Sequence, residues 1–242
     1  RNAADTLTRF TKWIVSRFNH IVIVTSNSED NTVEIIKQLK KEYPNQITHK
    51  HKEMENFASQ KQFALDQAST EWKLIVDADE IMEDIDWDNL VKELTYKKIN
   101  LIWFPRYNLQ KDEKHYHYPS YPDIQARLMN SEVKFNLSTP VHEAVSLFMR
   151  GKVKEAAESI KDAFKEISEE IKKDTHIIHW GHLRDEENQL VKSNMRQKFA
   201  IWDRADGSNL LKYNNWYNRR NELWDTQVKP LPNQIQQFIK TV

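Results

Sequence analysis

Residues 72–76 (WKLIV) form a short apolar run that stops at Asp77, Asp79 and Glu80, with only Ala78 between them. The run has the length and β-branched content of a buried strand. In extended chain, residues two apart point the same way, so Asp77 and Asp79 are expected on one side of it. Carboxylates at the carboxyl end of a buried strand stand where open α/β sheets bind ligands. Two of them cannot remain charged and close without a cation beside them. A hard divalent ion that also grips a diphosphate meets that need, which points to metal-dependent chemistry on a nucleotide-linked substrate.

Glycine is scarce, with Gly151, Gly181 and Gly207 the only three in 242 residues, where ~7% is usual. Glycine-rich phosphate loops are therefore absent, and phosphate must be held by metal, basic side chains or helix ends. There is no cysteine, which removes disulfides, thiolate metal sites and cysteine nucleophiles. Lys plus Arg and Asp plus Glu both number 36, so no overall basic field recruits nucleic acid. No apolar run approaches the ~20 residues that span a bilayer, and no signal-peptide pattern opens the chain. A cytoplasmic protein, at most peripheral at a membrane, is the expectation.

Hydrophobic spacing predicts a helix over 5–17 capped by Asp5, a strand over 20–25, and a helix carrying Val33, Ile36, Leu39 and Tyr43 up to Pro44. A weaker strand over 47–51 follows, then a helix through Phe57, Ala64, Leu65 and Ala68, then the carboxylate strand. This alternation predicts a largely parallel sheet with crossover helices, in which 20–25, 47–51 and 72–76 are neighbours. Beyond it, Asp86 caps a short helix through Leu90 and Leu94. Short strands are expected at 100–105, 125–129, 133–135 and 176–180, finishing the sheet in mixed or antiparallel fashion. Residues 152–173 place Val153, Ile160, Phe164 and Ile171 on one stripe, a packing face on an inserted helix. Two more helical stretches lie in 186–225.

Five segments, in order, resemble family 2 glycosyltransferases of the GT-A fold: residues 21–32 (IVIVTSNSEDNT), 56–65 (NFASQKQFAL), 71–80 (EWKLIVDADE), 121–128 (YPDIQARL) and 141–143 (VHE). The last two resemble motifs of bacterial members that build cell-surface sugars. The resemblance implies a GT-A domain over 1–182, with a helical C-terminal extension over 183–242. It implies transfer of a sugar from a nucleotide-diphosphate donor to an acceptor hydroxyl on a carbohydrate or glycoconjugate, with inversion and with Mn2+ or Mg2+. In such a domain Thr25 and Ser26 stand at the donor base, Lys61 at the donor phosphates and Asp77 at the ribose or a metal-bound water. Asp79 is the expected metal ligand, with His142 as imidazole partner and His179 and His182 as competitors. Asp123 is the first choice for general base and Glu143 the second, with Arg127 expected to pair Asp123. Tyr118 and Tyr121, in a loop rich in Tyr and His, suit an acceptor platform; edge packing of the core is the alternative.

Thr25 departs from the family pattern, which usually has an acidic residue there. The chain also opens where the first strand of that fold has just ended. About ten upstream residues, a strand of ~5–6 plus a lead, are therefore expected, or the C-terminal tail fills the slot. A sugar-phosphate nucleotidyltransferase and a non-catalytic sugar- or nucleotide-binding relative of a transferase are the alternative functions.

Overall fold

A computed structural model describes residues 1–135, 145–147, 175–181, 183 and 225–242. The expected helices at 152–173 and 186–225, together with His142, Glu143 and His182, lie outside the described residues.

The first half alternates as its hydrophobic spacing requires: α1 (Ala4–Val15), β1 (Ile21–Thr25), α2 (Thr32–Glu42), β2 (Ile47–His51), α3 (Phe57–Gln67) and β3 (Trp72–Leu74). Asp5 does not cap α1. Its first amides are served from the loop after β1: Ala4 N donates to Asp30 Oδ2 at 3.0 Å and Ala3 N to Thr32 Oγ1 at 2.8 Å. Asn56 caps α3 by accepting from Ser59 N at 2.7 Å. Strands β1 and β2 pair in parallel, Ile21 opposite Ile47 through Thr25 opposite His51.

The expected parallel trio does not form. Among the described residues β1 and β2 make a two-stranded sheet, and β3 belongs to a five-stranded one. Its order is β3, β7 (Asp123–Asn130), β5 (Leu101–Asn108), β10 (Ile177–His179), β4 (Glu80–Met82). Only β10 with β5 is parallel there; β3–β7, β5–β7 and β10–β4 are antiparallel. Alternation along the chain predicts crossovers, but partner choice is a long-range matter, and β3 finds its partner some fifty residues ahead. Residues 75 and 76 leave the regular ladder, although Ile75 N still donates to Arg127 O at 2.9 Å.

Helix α4 (Trp87–Lys97) is capped by Asp86, which accepts from Asn89 N, and it ends at Lys98 in the left-handed conformation. Strands β6 (His115–His117) and β11 (Val228–Pro230) pair antiparallel, as do β8 (Val133–Phe135) and β9 (Val145–Leu147). The C-terminal tail therefore pairs with β6 rather than lying beside β1 and β3. Its helix α5 (Asn233–Thr241) buries Ile235 and Ile239 in the same core as Leu7, Phe10, Trp13, Phe104 and Ile178. Trp13 is fully buried, and its indole N–H donates to Met82 O at 2.9 Å, so α1 is fastened to β4 next to the carboxylate turn. No helix among the described residues is long and apolar enough to cross a membrane.

Candidate active site

Strand β3 leads into a tight turn. Glu80 N donates to Asp77 O at 2.9 Å, closing residues 77–80 and starting β4. The turn breaks the two-residue alternation of extended chain, and Asp77 and Asp79 have different partners. Asp77 Oδ2 accepts from Lys61 Nζ at 3.3 Å and Arg127 Nη2 at 3.4 Å. Asp79 is buried and faces His179, with Oδ2 3.7 Å from Nε2.

Register explains why distant residues meet on one face. His179 lies opposite Glu80 across β10 and β4, and opposite Asn108 across β10 and β5. Arg106 lies opposite Asp123 across β5 and β7. Cross-strand neighbours on one face interact directly, so four strands contribute to one polar row. The wholly buried Glu80 is its hub. Its Oε1 accepts from Arg106 Nη1 at 2.6 Å and Arg127 Nη2 at 2.8 Å; its Oε2 accepts from Arg127 Nε at 3.1 Å and Asp77 N at 3.2 Å. Burial opposes the charge on Glu80, but Arg127 and Arg106 outweigh it and hold the carboxyl far below its ordinary range.

Asp123 is equally engaged. Its Oδ2 accepts from Arg106 Nε at 3.0 Å, Arg106 Nη2 at 2.5 Å and Asn108 Nδ2 at 2.7 Å, and its Oδ1 from Gln125 Nε2 at 2.7 Å. Burial would raise its pKa, yet Arg106 with the Asn108 and Gln125 hydrogen bonds lowers it. The partner of Asp123 is therefore Arg106, not Arg127 as the sequence suggested; Arg127 instead spans Glu80 and Asp77. Lys61, Arg106 and Arg127 thus pair with Asp77, Glu80 and Asp123, and Asp79 faces His179.

The Asp79–His179 pair is held by backbone and packing. Trp180 N donates to Asp79 O at 2.9 Å, and Leu109 N to His179 O at 3.0 Å. The Trp180 indole N–H donates to Glu113 Oε1 at 2.9 Å, and Arg9 both pairs with Glu113 and lies 4.7 Å over the Trp180 ring. Gly181 matters for close approach. A Cβ there would fall 2.2 Å from His179 Nε2 and 3.0 Å from Asp79 Oδ2. Any other residue at 181 would fill the space into which the two groups converge.

A separation of 3.7 Å is long for a hydrogen bond and within the span of two ligands that each lie ~2.0–2.2 Å from one cation. Carboxylate with imidazole suits manganese and admits magnesium. Among the described residues no cluster of three or more His, Cys, Asp and Glu side chains could hold a metal alone. A site of two protein ligands that leaves the remaining positions to water and phosphate oxygens is how such ions are often held.

The remaining expected residues divide between this row and other places. Thr25 and Ser26 are buried at the carboxyl end of β1, and Thr25 Oγ1 is 2.8 Å from His49 Nε2. Burial, then Lys40, His51 and Lys37, lower the His49 pKa, so a neutral imidazole stands beside the threonine where a carboxylate was expected. Tyr121 stacks on Tyr107 at 4.5 Å, and its hydroxyl is 3.0 Å from His176 Nε2, whose Nδ1 is 2.8 Å from Glu83 Oε2. Tyr107 follows Arg106 in β5, so its side chain emerges on the opposite face of the sheet. The Tyr121 ring is thus on that face, away from the Asp123 carboxylate, and packs against the core. Tyr118 is 42% exposed, with Lys229 Nζ 4.6 Å over its ring.

Arg106 and Asn108 were not singled out in the sequence, Gly181 figured there only as one of three glycines, and Glu80 was read as a carboxylate at the strand end, capping or structural as readily as functional. A signal existed for Arg106, the one charge in a largely apolar strand (LIWFPRYN), and for Gly181, a rare glycine two residues after a histidine. Asn108 carried none.

Residues 1–155 match the family model described as Glycosyl transferase family 2. No curated protein matches the chain.

Proposed function

The chain belongs to glycosyl transferase family 2, and from that premise we propose that it moves a sugar from a nucleotide-diphosphate donor to an acceptor hydroxyl with inversion at the sugar carbon. Membership carries the GT-A fold and the use of a sugar donor and an acceptor, and the nucleotidyltransferase alternative falls away with it. The observation that carries the rest is the convergence of Asp79 and His179 over Gly181.

In this reading Asp79 and His179 hold Mn2+ or Mg2+; His142, the ligand expected from sequence, lies outside the described residues. Bound there with the donor, the ion would neutralise charge developing on the departing diphosphate. Lys61 brings a point charge to the same phosphates from α3, where no glycine loop exists. Asp77, partly exposed and steadied by Lys61 and Arg127, contacts the ribose in this reading. Thr25 and Ser26 serve the base, and the Thr25–His49 pair offers neutral hydrogen bonding in place of a carboxylate.

A general base must take the acceptor proton, and it works best with a pKa near the working pH. Asp123 is poorly suited, because four hydrogen bonds, two of them from Arg106, stabilise its anion. We assign the base to Glu143, outside the described residues, and give Asp123 a supporting role. Tyr118 keeps the stronger claim to the acceptor, since Tyr121 is committed to Tyr107 and His176. The acceptor proposed is a carbohydrate or glycoconjugate of the cell surface, reached from the cytoplasm with at most peripheral membrane contact.

The test is a melting-temperature screen of nucleotide-sugars with and without manganese, followed by release of nucleoside diphosphate from any donor that binds. Manganese-dependent release that Asp79→Ala abolishes supports the proposal. Binding without release in the presence of acceptor sugars would instead identify a non-catalytic relative. Undiminished manganese-dependent turnover in Asp79→Ala would remove the metal assignment.

A further inference from the structure

We propose that Asn108, anchored by Asp123, is a positioning residue that holds the proton of His179 on Nδ1, so that Nε2 presents its lone pair toward Asp79. The inference rests on the metal reading for its purpose, but not for its geometry.

Asn108 and His179 are both buried, and the Asn108 amide sits between two groups with opposite demands. On one side is Asp123 Oδ2, 2.7 Å away. Paired with Arg106, this carboxylate is ionised, and an ionised carboxylate only accepts. The amide must therefore present Nδ2 to Asp123. Its other end, Oδ1, then faces His179 Nδ1 at 2.7 Å. An amide oxygen only accepts, so Nδ1 carries the proton. In the neutral ring the lone pair is consequently on Nε2, the atom that stands 3.7 Å from Asp79 Oδ2 and over Gly181. Rotating the amide by half a turn would set oxygen against carboxylate and lose the hydrogen bond to Asp123, which no change of His179 tautomer could restore. The orientation of Asn108 is decided by charge rather than by shape.

The chain Asp123–Asn108–His179 parallels the carboxylate behind many metal-bound histidines, with an amide interposed. An amide fixes the tautomer without a second carboxylate next to the imidazole. Asp123 acts on His179 through Asn108, which accounts for a half-buried, four-times hydrogen-bonded carboxylate close to the site without requiring it to move a proton.

The test reads the tautomer directly. Long-range proton–nitrogen NMR of the metal-free chain at about pH 8.5, where an ordinary imidazole is neutral, distinguishes the two tautomers. His179→Gln identifies the signal. The expected result is His179 protonated at Nδ1 in the wild type and a mixture of tautomers in Asn108→Ala. Protonation at Nε2 in the wild type, or an unchanged tautomer in folded Asn108→Ala, would overturn the proposal; the wild-type spectrum decides even where the variant does not fold. In parallel, Mn2+ binding in the presence of inorganic pyrophosphate is followed by the loss of the free-ion EPR signal. Asn108→Ala is expected to weaken it ~10–100-fold. Asp79→Ala in the same assay separates the two ideas. If it leaves Mn2+ binding intact while the tautomer is as expected, the metal assignment fails and the positioning of His179 stands.

Discussion

Arg127 grips Glu80 with both ends of its guanidinium, Nε on Oε2 at 3.1 Å and Nη2 on Oε1 at 2.8 Å, and neither side chain is accessible beyond 3%. Bidentate pairs of this kind are strong and directional. Because Arg106 shares Oε1, a single carboxylate meets both arginines, which Asp123 and Asp77 also engage. The turn that carries Asp77 and Asp79 is thereby locked to β5 and β7.

Removing that carboxylate should be costly. Glu80→Gln leaves two buried arginines short of charge, a situation that typically costs about 3–5 kcal/mol. Denaturant unfolding of the variant, compared with wild type at neutral pH, measures it. A loss below about 1 kcal/mol would mean that Asp77 and Asp123 can take over the two arginines.

Acid should loosen the same network. Glu80 and Asp123 are both held below their unfolded values of ~4.3 and ~3.9. Their contribution to stability is full above those values and is lost as pH falls through the lower folded ones. Melting temperature should therefore drop as pH falls below about 4.5, and Asp123→Asn should show a shallower drop, having one such group fewer. An identical slope in the variant would remove Asp123 from the account.

Gly181→Ala tests the cradle. No left-handed backbone requires glycine at this position; the close approach of His179 Nε2 at 2.2 Å does. The added methyl must push the imidazole off Asn108 or away from Asp79. Manganese affinity should fall ~10–100-fold, with a stability loss in the ~1–3 kcal/mol range of overpacked sites. Manganese binding equal to wild type would show that the ion does not use this space.

The two carboxylates proposed near the chemistry should fail differently. Asp123→Asn is expected to raise the manganese concentration needed for half activity ~10–100-fold, with turnover largely restored at saturating metal. Glu143→Gln should lower turnover ~10²–10⁴-fold, with donor binding kept. If saturating manganese does not rescue Asp123→Asn and Glu143→Gln stays active, the base is Asp123 after all.

Local pattern was enough for much of the first half. The elements from α1 to β3 lie close to where hydrophobic spacing and caps put them, because those signals act within one or two turns of chain. Ordered motifs from 21–32 to 141–143 carried the family, and Asp79 stood out as a carboxylate at a strand end. None of this determined partners. Whether β3 pairs with β1 or with β7 depends on contacts some fifty residues apart, and the alternation of elements is silent on them. The Asp77–Glu80 turn replaced the extended chain expected there, and Asp77 and Asp79 took different partners. Register across β4, β10, β5 and β7 assembled Glu80, His179, Asn108, Arg106 and Asp123 into one row, and the same alternation in β5 sent Tyr107, and Tyr121 with it, to the other face. Sequence alone named residue types suited to the chemistry. Only the tertiary structure decided which of them share a face, because side-chain direction is set by strand register and turn closure, and both are fixed by pairing between segments far apart in the chain.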